Sequence, residues 1–419
     1  MTLPSWWLIG WRNLGRNPRR TFITALGLAA GYFAVIFMVG FADGLKVEMI
    51  DNGTGLMTGQ IQIHSPRYRP DRSLYETLGG RAGADFEAVI RTAVRDPAVV
   101  AAAPRVYGAG LLSSGQSTRG GMLMGIDLDR EPGVSRLMNS LSQGRAPAPA
   151  ANELMIGTEM AGRLELKVGN EVILVAPAAD GSMGNDIFRV CGLYRTGMAD
   201  LDGAFALVPI RSLQRLLALD SGRIHEIALS TADPWLAPEA GRRLAAALAP
   251  LEVEMEVLDW TGLQPEMLEY ALLMDSWYSI VVIIVFAIAL FGVANTMLMS
   301  TFERRREFSV MLALGARPHQ ILLTVVSEAT ALGWISLALG VAVTFPLITW
   351  WHHYPIDLSW IYGDLTMLGA LIRPVLRIEY NLPVSLWTGL ALLLTAVTAG
   401  LYPAARAAWL PPADTLSGQ

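Results

Sequence analysis

Residue types that commonly perform catalysis are sparse in this sequence, and their spacing matches no catalytic motif. A phosphate-binding loop places a lysine directly after a glycine, so that the ammonium reaches the terminal phosphates, and neither Lys46 nor Lys167 follows a glycine. The pair His225-Glu226 lacks the second histidine of a zinc-protease motif, and no Gly-x-Ser-x-Gly segment provides a nucleophile. The sequence therefore predicts a chain without a catalytic residue, a metal site or a cofactor of its own.

Two further reactive residue types have structural interpretations. Cys191 is the single cysteine, which excludes an intramolecular disulfide, and its apolar neighbours predict a small buried side chain. His352 and His353 follow two tryptophans, a composition typical of a membrane interface rather than of a metal site.

The elements that carry these residues are dominated by long apolar segments. Hydrophobic residues make up 53% of the 419 residues and charged residues only 16%, against about 25% charged residues in a soluble domain. The segments 21–42, 276–302, 320–351 and 380–405 contain uncharged stretches long enough to cross a bilayer as helices. The composition predicts an α-helical membrane protein with four transmembrane helices, and it excludes a cytosolic enzyme, a fibrous chain and a disulfide scaffold.

The placement of arginine predicts how these spans are oriented. Residues 1–20, an expected amphipathic segment, carry four arginines and no acid, and the link 303–319 carries four more. Short loops rich in arginine stay in the cytoplasm, so we expect the N-terminus, this link and the tail 406–419 to be cytoplasmic. The segment 43–275 is then external, and its 30 acidic against 21 basic residues give a net charge of −9, opposite in sign to the cytoplasmic pieces.

The segment 43–275 is too long for a loop, so we expect an α+β domain inserted between the first and second spans. Periodicity predicts β-α-β units at about 58–107 and 224–258, and a β-rich subdomain at about 120–208 that includes a helix at Glu153–Leu166. Helix-compatible residues at both ends of the domain predict that the first two spans continue outward as stalks, which is a mechanical role.

A second, shorter external segment, 352–379, joins the third and fourth spans. It contains the apolar residues Leu365–Ile372, and we expect the segment to form an interfacial helix or an extra contact, or to rest on the outer leaflet.

Polar and small residues near the spans have alternative interpretations. Asn295 is expected to hydrogen bond to another helix, and Gly27 and Gly31 are spaced for close helix packing. Glu328, at the inner edge of the third span, is either the structural partner of a neighbouring arginine or a residue that couples movement.

The link after the second span resembles a known family. It is similar to the pattern E-R-x-R-E-[IF]-x-x-[ML]-x-A-L-G-A of FtsX-like or MacB-type permeases, the membrane subunits of type VII ABC transporters. In this chain the pattern reads Glu303-Arg304-Arg305-Arg306-Glu307-Phe308-Ser309-Val310-Met311-Leu312-Ala313-Leu314-Gly315-Ala316.

The resemblance extends over nearly the whole chain. Three further stretches, Trp11–Thr21, Val168–Val172 and Tyr402–Ala408, are similar to the family. Within it, Gly40–Leu45 and Thr58–His64 resemble most the LolC- and LolE-like lipoprotein-releasing permeases.

The resemblance implies a non-catalytic subunit in a dimer of permeases, either identical or paralogous, that acts with a cytoplasmic dimer of ABC ATPases. ATP and Mg would be bound by that partner and not by this chain. A short helix in the link offers arginines to carboxylates of a partner, and Gly315 can end it with positive φ. An ordinary cytoplasmic loop explains the arginines but not the two glutamates or the apolar face. The expected coupling residues are Glu303, Arg304, Arg305, Arg306, Glu307, Met311, Leu314, Gly315, Ala316 and Glu328.

Three functions remain open at this point. The first is extraction of a lipoprotein or lipid-like substrate from the outer leaflet of the inner membrane. Its expected entrance walls, which equally suit dimer packing, are Phe33, Phe37, Ile283, Phe286 and Leu290. The second is tripartite efflux of peptides or drugs, and the third is FtsX-like signalling to a cell-wall hydrolase. The partners implied are membrane lipid and a periplasmic adaptor, acceptor or hydrolase, and no nucleic acid.

Overall fold

The computed structural model of the chain describes residues 10–69, 73–80, 85–149, 151–251, 254–357, 365–367, 370–372 and 375–409. Its contacts form two compact units. The membrane unit comprises Met1–Leu45, Ala271–Leu358 and Val375–Gln419, and the inserted unit comprises Lys46–Tyr270 with Ser359–Pro374.

Helices dominate the membrane unit, and short helices support the inserted unit. In chain order they are α1 (Pro18–Gly53), α2 (Phe86–Ala93), α3 (Thr158–Leu164), α4 (Ala199–Ala204), α5 (Ile210–Leu216), α6 (Ala237–Leu248), α7 (Trp260–Leu263), α8 (Pro265–Glu303), α9 (Arg305–Ala313), α10 (Pro318–His353) and α11 (Leu382–Ala408). Four of them, α1, α8, α10 and α11, are long and apolar enough to cross a membrane. Within the described residues the chain thus has four candidate membrane spans, with a domain inserted after the first.

The predicted helical continuation of the first two spans is confirmed by the bounds of α1 and α8. The first helix continues past the predicted span to Gly53, and a single π-turn, Thr54–Thr58, follows it. The second long helix begins at Pro265, well before its uncharged stretch.

The strands in chain order are β1 (Ile61–His64), β2 (Leu78–Gly79), β3 (Val99–Ser113), β4 (Thr118–Ile126), β5 (Leu141–Gly144), β6 (Glu153–Gly157), β7 (Glu171–Pro177), β8 (Met183–Tyr194), β9 (Phe205–Pro209), β10 (Arg223–Ile224), β11 (Glu226–Thr231), β12 (Glu256–Asp259), β13 (Ile356–Asp357), β14 (Leu365–Met367), β15 (Ala370–Ile372) and β16 (Val375–Leu376). Ten of them form one mixed sheet in the inserted unit, ordered β12-β1-β11-β3-β4-β9-β6-β8-β5, with β7 paired to both β3 and β8.

Amphipathic helices cover this sheet because their apolar residues recur at helical spacing. In α6, the residues Ala237, Ala240, Leu244 and Leu248 are buried on one face. The single cysteine, Cys191, is buried as expected, and its thiol donates to the carbonyl of Leu154 over 3.2 Å.

The predicted helix at Glu153–Leu166 is wrong in its first part, where the chain forms strand β6. This strand pairs with β8 on one side and β9 on the other, and Leu154, Met155 and Ile156 are all fully buried. A strand buried on both faces has consecutive apolar residues, and periodicity alone does not distinguish such a run from a helix.

For segment 352–379, where the sequence left an interfacial helix or an extra contact open, the described residues 365–367 and 370–372 are strands and not helix. Leu365–Met367 and Ala370–Ile372 pair as antiparallel strands. A short apolar run is compatible with either structure, and cross-strand pairing decided between them.

In the membrane unit, α10 and α11 pack most closely because small residues face each other. A Cβ on Gly400 would lie 2.6 Å from the Cβ of Ala329, and one on Gly333 would lie 3.0 Å from that of Ala396. The ring of Tyr32 from α1 fills the space beside Gly340 of α10. These contacts place the membrane core between α1, α10 and α11.

Candidate functional site

Ion pairs join residues at and just before the start of α1 to the end of α8 and the first turn of α9. Arg20 donates from both terminal nitrogens to Glu303, at 2.8 and 2.6 Å. Arg16 makes the same two-point contact with Glu307, at 3.0 and 2.8 Å. Planar pairs of this kind fix both distance and orientation, so the residues before the first span are held against the predicted coupling segment.

Arg304 extends these contacts to the third span. Its Nη1 donates to Glu328 over 2.9 Å and its Nε donates to Glu307 over 3.2 Å. The side chain of Glu328 is only 9% exposed, and that of Arg304 only 15%. We refer to these six residues, Arg16, Arg20, Glu303, Arg304, Glu307 and Glu328, as the helix-end network.

Charges in the helix-end network are balanced, with three arginines and three glutamates. The hydrogen bonds from Arg16 hold the pKa of the Glu307 carboxyl below its usual range, and burial opposes this only in part. The same contact raises the pKa of Arg16. Because Arg16 and Glu307 are about half exposed, water and salt screen their attraction.

A polar cavity of about 330 Å³ lies within the helix-end network. Two threonines from facing spans contribute to it, and their hydroxyl oxygens are 3.4 Å apart. Its lining includes Arg16, Arg20, Thr24, Thr296, Glu303 and Glu328.

Helix α9 packs on the spans through one face. Phe308 is fully buried against Ile321 and Val325 of α10, and Met311 lies partly buried beside it. Gly315 has a φ of +95°. Its N–H donates to Leu312 and that of Ala316 donates to Met311, so the helix ends in a Schellman motif as the glycine predicted.

The opposite face of α9 is directed away from the described residues. Leu314 is 83% exposed and Val310 is 45% exposed. Arg305, Arg306 and Gly315 are exposed as well. We refer to Arg305, Arg306, Val310 and Leu314 as the outward face of α9.

The structure therefore divides the predicted coupling residues into two groups. Glu303, Arg304, Glu307 and Glu328 contact one another or α1, whereas Arg305, Arg306, Leu314 and Gly315 are exposed. Met311 packs inward and Ala316 is half-buried.

Sequence reasoning missed Arg16 and Arg20 as members of this site. It assigned them only to the positive charge expected of a cytoplasmic segment, although both lie in the family-like stretch Trp11–Thr21.

The predicted entrance residues differ in how deeply they are buried. Phe37 contacts the rings of Phe33 and Trp351, with centroids 5.7 and 5.4 Å apart. Phe286 and Leu290 pack against the membrane core, whereas Ile283 is 67% exposed.

A second charged group, fully buried, lies in the inserted unit. Arg105 donates to Glu131 over 3.1 and 2.6 Å, and to Glu226, its cross-strand partner, over 3.4 Å. The hydroxyl of Tyr107 donates to Glu226 over 2.9 Å. Arg105 also donates to the carbonyl of Met57 in the π-turn that ends the first stalk. We refer to Arg105, Tyr107, Glu131 and Glu226 as the buried cluster.

His225 lies next to the buried cluster in sequence. Its Nδ1 accepts from the backbone N–H of Tyr107 over 2.9 Å, so its Nε2 carries the proton and donates to the carbonyl of Leu74 over 3.1 Å. Burial lowers the pKa of this imidazole. Within the part of the chain that the structure describes, no three His, Cys, Asp or Glu side chains are grouped to hold a metal ion.

Comparison with known proteins identifies the family. Residues 21–247 match the family model of the MacB-like periplasmic core domain, and residues 279–412 match that of the FtsX-like permease C-terminal region. The chain belongs to the MacB/FtsX-like permeases. It is thus an ABC transporter permease of the LolC/LolE and MacB type.

The relatives of this permease include lipoprotein-releasing proteins and macrolide export proteins. It is 25% identical to the lipoprotein-releasing system transmembrane protein LolC of Neisseria meningitidis serogroup B, covering 99% of each chain. It is 24% identical to LolE of Haemophilus influenzae, covering 98% of each. It is 22% identical to the macrolide export ATP-binding/permease protein MacB of Chlorobaculum tepidum, covering 97% of this chain and 60% of that one.

Among solved structures, the periplasmic region of MacB from Actinobacillus actinomycetemcomitans matches 50% of this permease and 91% of its own chain. The identity is 17% and the TM-score 0.35. The family assignment rests on the sequence matches.

Proposed function

We propose that this permease couples ATP hydrolysis by a separate cytoplasmic ATPase to movement of the inserted unit, and that it extracts lipoproteins or lipid-like substrates from the outer leaflet of the inner membrane. In this arrangement both termini and α9 are cytoplasmic, the inserted unit is periplasmic, and a second permease copy completes the complex. ATP and Mg are bound by the ATPase.

The outward face of α9 carries the coupling part of this proposal. Glu307 holds the helix to Arg16, just before α1, and Phe308 holds it against α10, so the helix is fixed on one side. An apolar residue that is 83% exposed, Leu314, stands on the other side with the arginines Arg305 and Arg306. Such a surface suits a partner with a shallow apolar pocket and carboxylates around it.

The share of each relative's length that aligns with this chain supports the proposed lipoprotein substrate. The alignments to LolC and LolE span nearly the full length of both proteins, whereas this chain covers only 60% of MacB, whose name includes an ATP-binding part. Phe33, Phe37, Ile283, Phe286 and Leu290 on α1 and α8 are proposed as the substrate contacts.

The coupling proposal is tested on the complex purified with its ATPase. Leu314→Glu and Arg306→Glu should each reduce the amount of ATPase that copurifies by about tenfold, because a buried carboxylate without a partner is costly at such an interface. The matched control is Leu111→Glu, an exposed leucine of the inserted unit, which should leave copurification unchanged. Full copurification with both α9 variants would contradict the proposal.

The substrate proposal is tested by mass spectrometry of lipids and lipoproteins bound to the complex in lipid nanodiscs, before and after addition of ATP and Mg. A species bound without nucleotide and released with ATP supports extraction. A complex that hydrolyses ATP and carries no such species would favour efflux or control of a hydrolase instead.

A further inference from the structure

The outer part of α1 has a notch formed by two glycines one turn apart. The chain just before α11 crosses this notch, and the N–H of Glu379 donates to the carbonyl of Gly40 over 2.9 Å. A Cβ on Gly44 would lie 2.2 Å from the carbonyl oxygen of Arg377, and one on Gly40 would lie 2.8 Å from that of Glu379. Backbone atoms cannot yield as a flexible side chain does, so only glycine fits at these positions.

Polar contacts hold the same segment to three helices at once. The amide of Asn381 donates to Asp43 of α1 over 2.7 Å, and its oxygen caps α11 by accepting from Val384 over 3.1 Å. His352 of α10 donates to the carbonyl of Ile378 over 3.0 Å. We refer to Arg377–Asn381 as the clasp.

One span, α8, is much less buried than the other three. In the most apolar stretch of each helix, 39% of residues are buried in α1 and in α10 and 44% in α11, but only 11% in α8. The hydroxyl of Tyr32 on α1 donates to Ser385 of α11 over 3.3 Å, which adds to the contacts between the first group. Helix α8 meets the membrane core along one face, through residues such as Val293 and Met297.

We propose that the clasp, seated on Gly40 and Gly44, keeps α1, α10 and α11 together as one body throughout the transport cycle, and that α8 is the span that moves against it. Gly40 and Gly44 are then positioning residues. The partly exposed ion pair between Arg20 of α1 and Glu303 of α8 lets the two helices separate at little cost, whereas the close backbone contacts of the clasp hold it on α1. The statement about the cycle rests on the proposed function, but the statement about packing does not.

The packing of the clasp on Gly40 and Gly44 is tested in the absence of nucleotide. The single cysteine allows a background of Cys191→Ser, into which Asp43→Cys and Asn381→Cys are introduced. These two positions should form a disulfide on mild oxidation in membranes. Adding Gly44→Ala should reduce the rate of that cross-link by about tenfold, because the clasp must lift. The matched control is Gly27→Ala on the same helix, where a Cβ would meet nothing within 4 Å, and it should leave the rate unchanged.

Equal cross-linking rates in the Gly44→Ala and Gly27→Ala proteins would overturn the proposed role of the notch. This result would leave the proposed ATPase coupling untouched.

The proposed movement of α8 during the transport cycle is tested by comparing two cross-links in the complete complex with its ATPase. The first is the clasp disulfide at positions 43 and 381. The second joins α1 to α8 through Gly31→Cys and Val285→Cys, since a Cβ on Gly31 would lie 3.7 Å from Val285 Cγ1. We expect ATP-driven release of bound lipoprotein to persist with the first cross-link and to fall at least about tenfold with the second, with reduction restoring it.

Loss of release with the clasp disulfide, or full release with the α1–α8 disulfide, would each overturn the inference. Absence of release in the uncross-linked complex would instead contradict the proposed function.

Discussion

Two groups of charged residues in this permease pair arginines with glutamates, one group partly exposed to solvent and the other fully buried. The helix-end network pairs Arg16 and Arg20 with carboxylates that are 43% and 39% exposed, whereas Arg304 and Glu328 are only 15% and 9% exposed. The buried cluster places Arg105 between Glu131 and Glu226 with none of the three accessible to solvent beyond 1%. The first group can exchange its partners for water, and the second cannot.

The difference in exposure matters because burial decides how strongly an ion pair is screened and how costly it is to separate. An exposed pair contributes little to stability and is screened by salt, so it suits a contact that opens and closes. A buried pair contributes little over an apolar substitute, but removing one partner leaves an uncompensated charge. The helix-end network is therefore suited to a moving junction, and the buried cluster to a fixed connection between the first stalk and the sheet.

The largest expected effect is the loss of Arg105. Arg105→Met would leave Glu131 and Glu226 buried without their cation and should destabilise the inserted unit by about 3–5 kcal/mol. The loss is measured by urea unfolding monitored through protease sensitivity of the inserted unit. Arg136→Met, which breaks a half-exposed pair with Asp51, is the control and should cost about 1 kcal/mol or less. Equal losses of unfolding free energy in the two variants would contradict the expected difference between buried and exposed ion pairs.

A smaller effect is expected at the most buried member of the helix-end network. Glu328→Leu removes a charged hydrogen bond with Arg304 and should cost about 1–3 kcal/mol, because Arg304 retains Glu307 and some access to water. The apparent melting temperature of the purified permease in detergent measures this change. A loss as large as that of Arg105→Met would show that the network is buried in the assembled protein.

Charge reversal at the exposed pair should have a smaller effect still. Glu303→Arg places two cations together, and the added Arg20→Glu restores an opposite-charge pair. We expect the double variant to recover most of the lost stability, and the difference between single and double variants to shrink when salt is raised from about 0.05 M to about 0.5 M. A difference independent of salt would contradict the exposed character of this pair.

The smallest effect is a dependence on pH from His225. Burial lowers its pKa in the folded state, so the unfolded chain takes up the proton first as pH falls below about 6.5. The stability of the inserted unit should be constant above that pH and decrease from there towards the lower folded pKa. The lowered pKa of Glu307 keeps its pair with Arg16 charged over this range. His225→Gln should flatten the unfolding curve against pH; an unchanged slope would place the titrating group elsewhere.

Several elements followed from local sequence alone. The four spans, the continuation of α1 and α8 as stalks, and the end of α9 at Gly315 depend on hydrophobic length, helix-compatible residues and the conformational freedom of glycine, which are properties of neighbouring residues. The same reasoning failed at β6, where burial on both faces removed the alternation that marks a strand.

Packing of the glycines shows a similar limit. The sequence drew attention to Gly27 and Gly31, yet a Cβ at Gly27 would meet nothing within 4 Å, and the close approach occurs at Gly40 and Gly44. Both pairs have the same spacing, and spacing does not tell which face of a helix another segment crosses.

The sequence by itself determined that this chain has four apolar segments long enough to cross a membrane, carries a large inserted domain, lacks a nucleotide-binding loop and resembles a permease, since composition, length and contiguous motifs fix these properties. Only the tertiary structure decided that Arg16 and Arg20 meet Glu307 and Glu303, and that Arg105 meets Glu131 and Glu226. Partners in these pairs are separated by up to 291 residues along the chain, and side chains so distant are brought together only by the packing of spans and the register of strands.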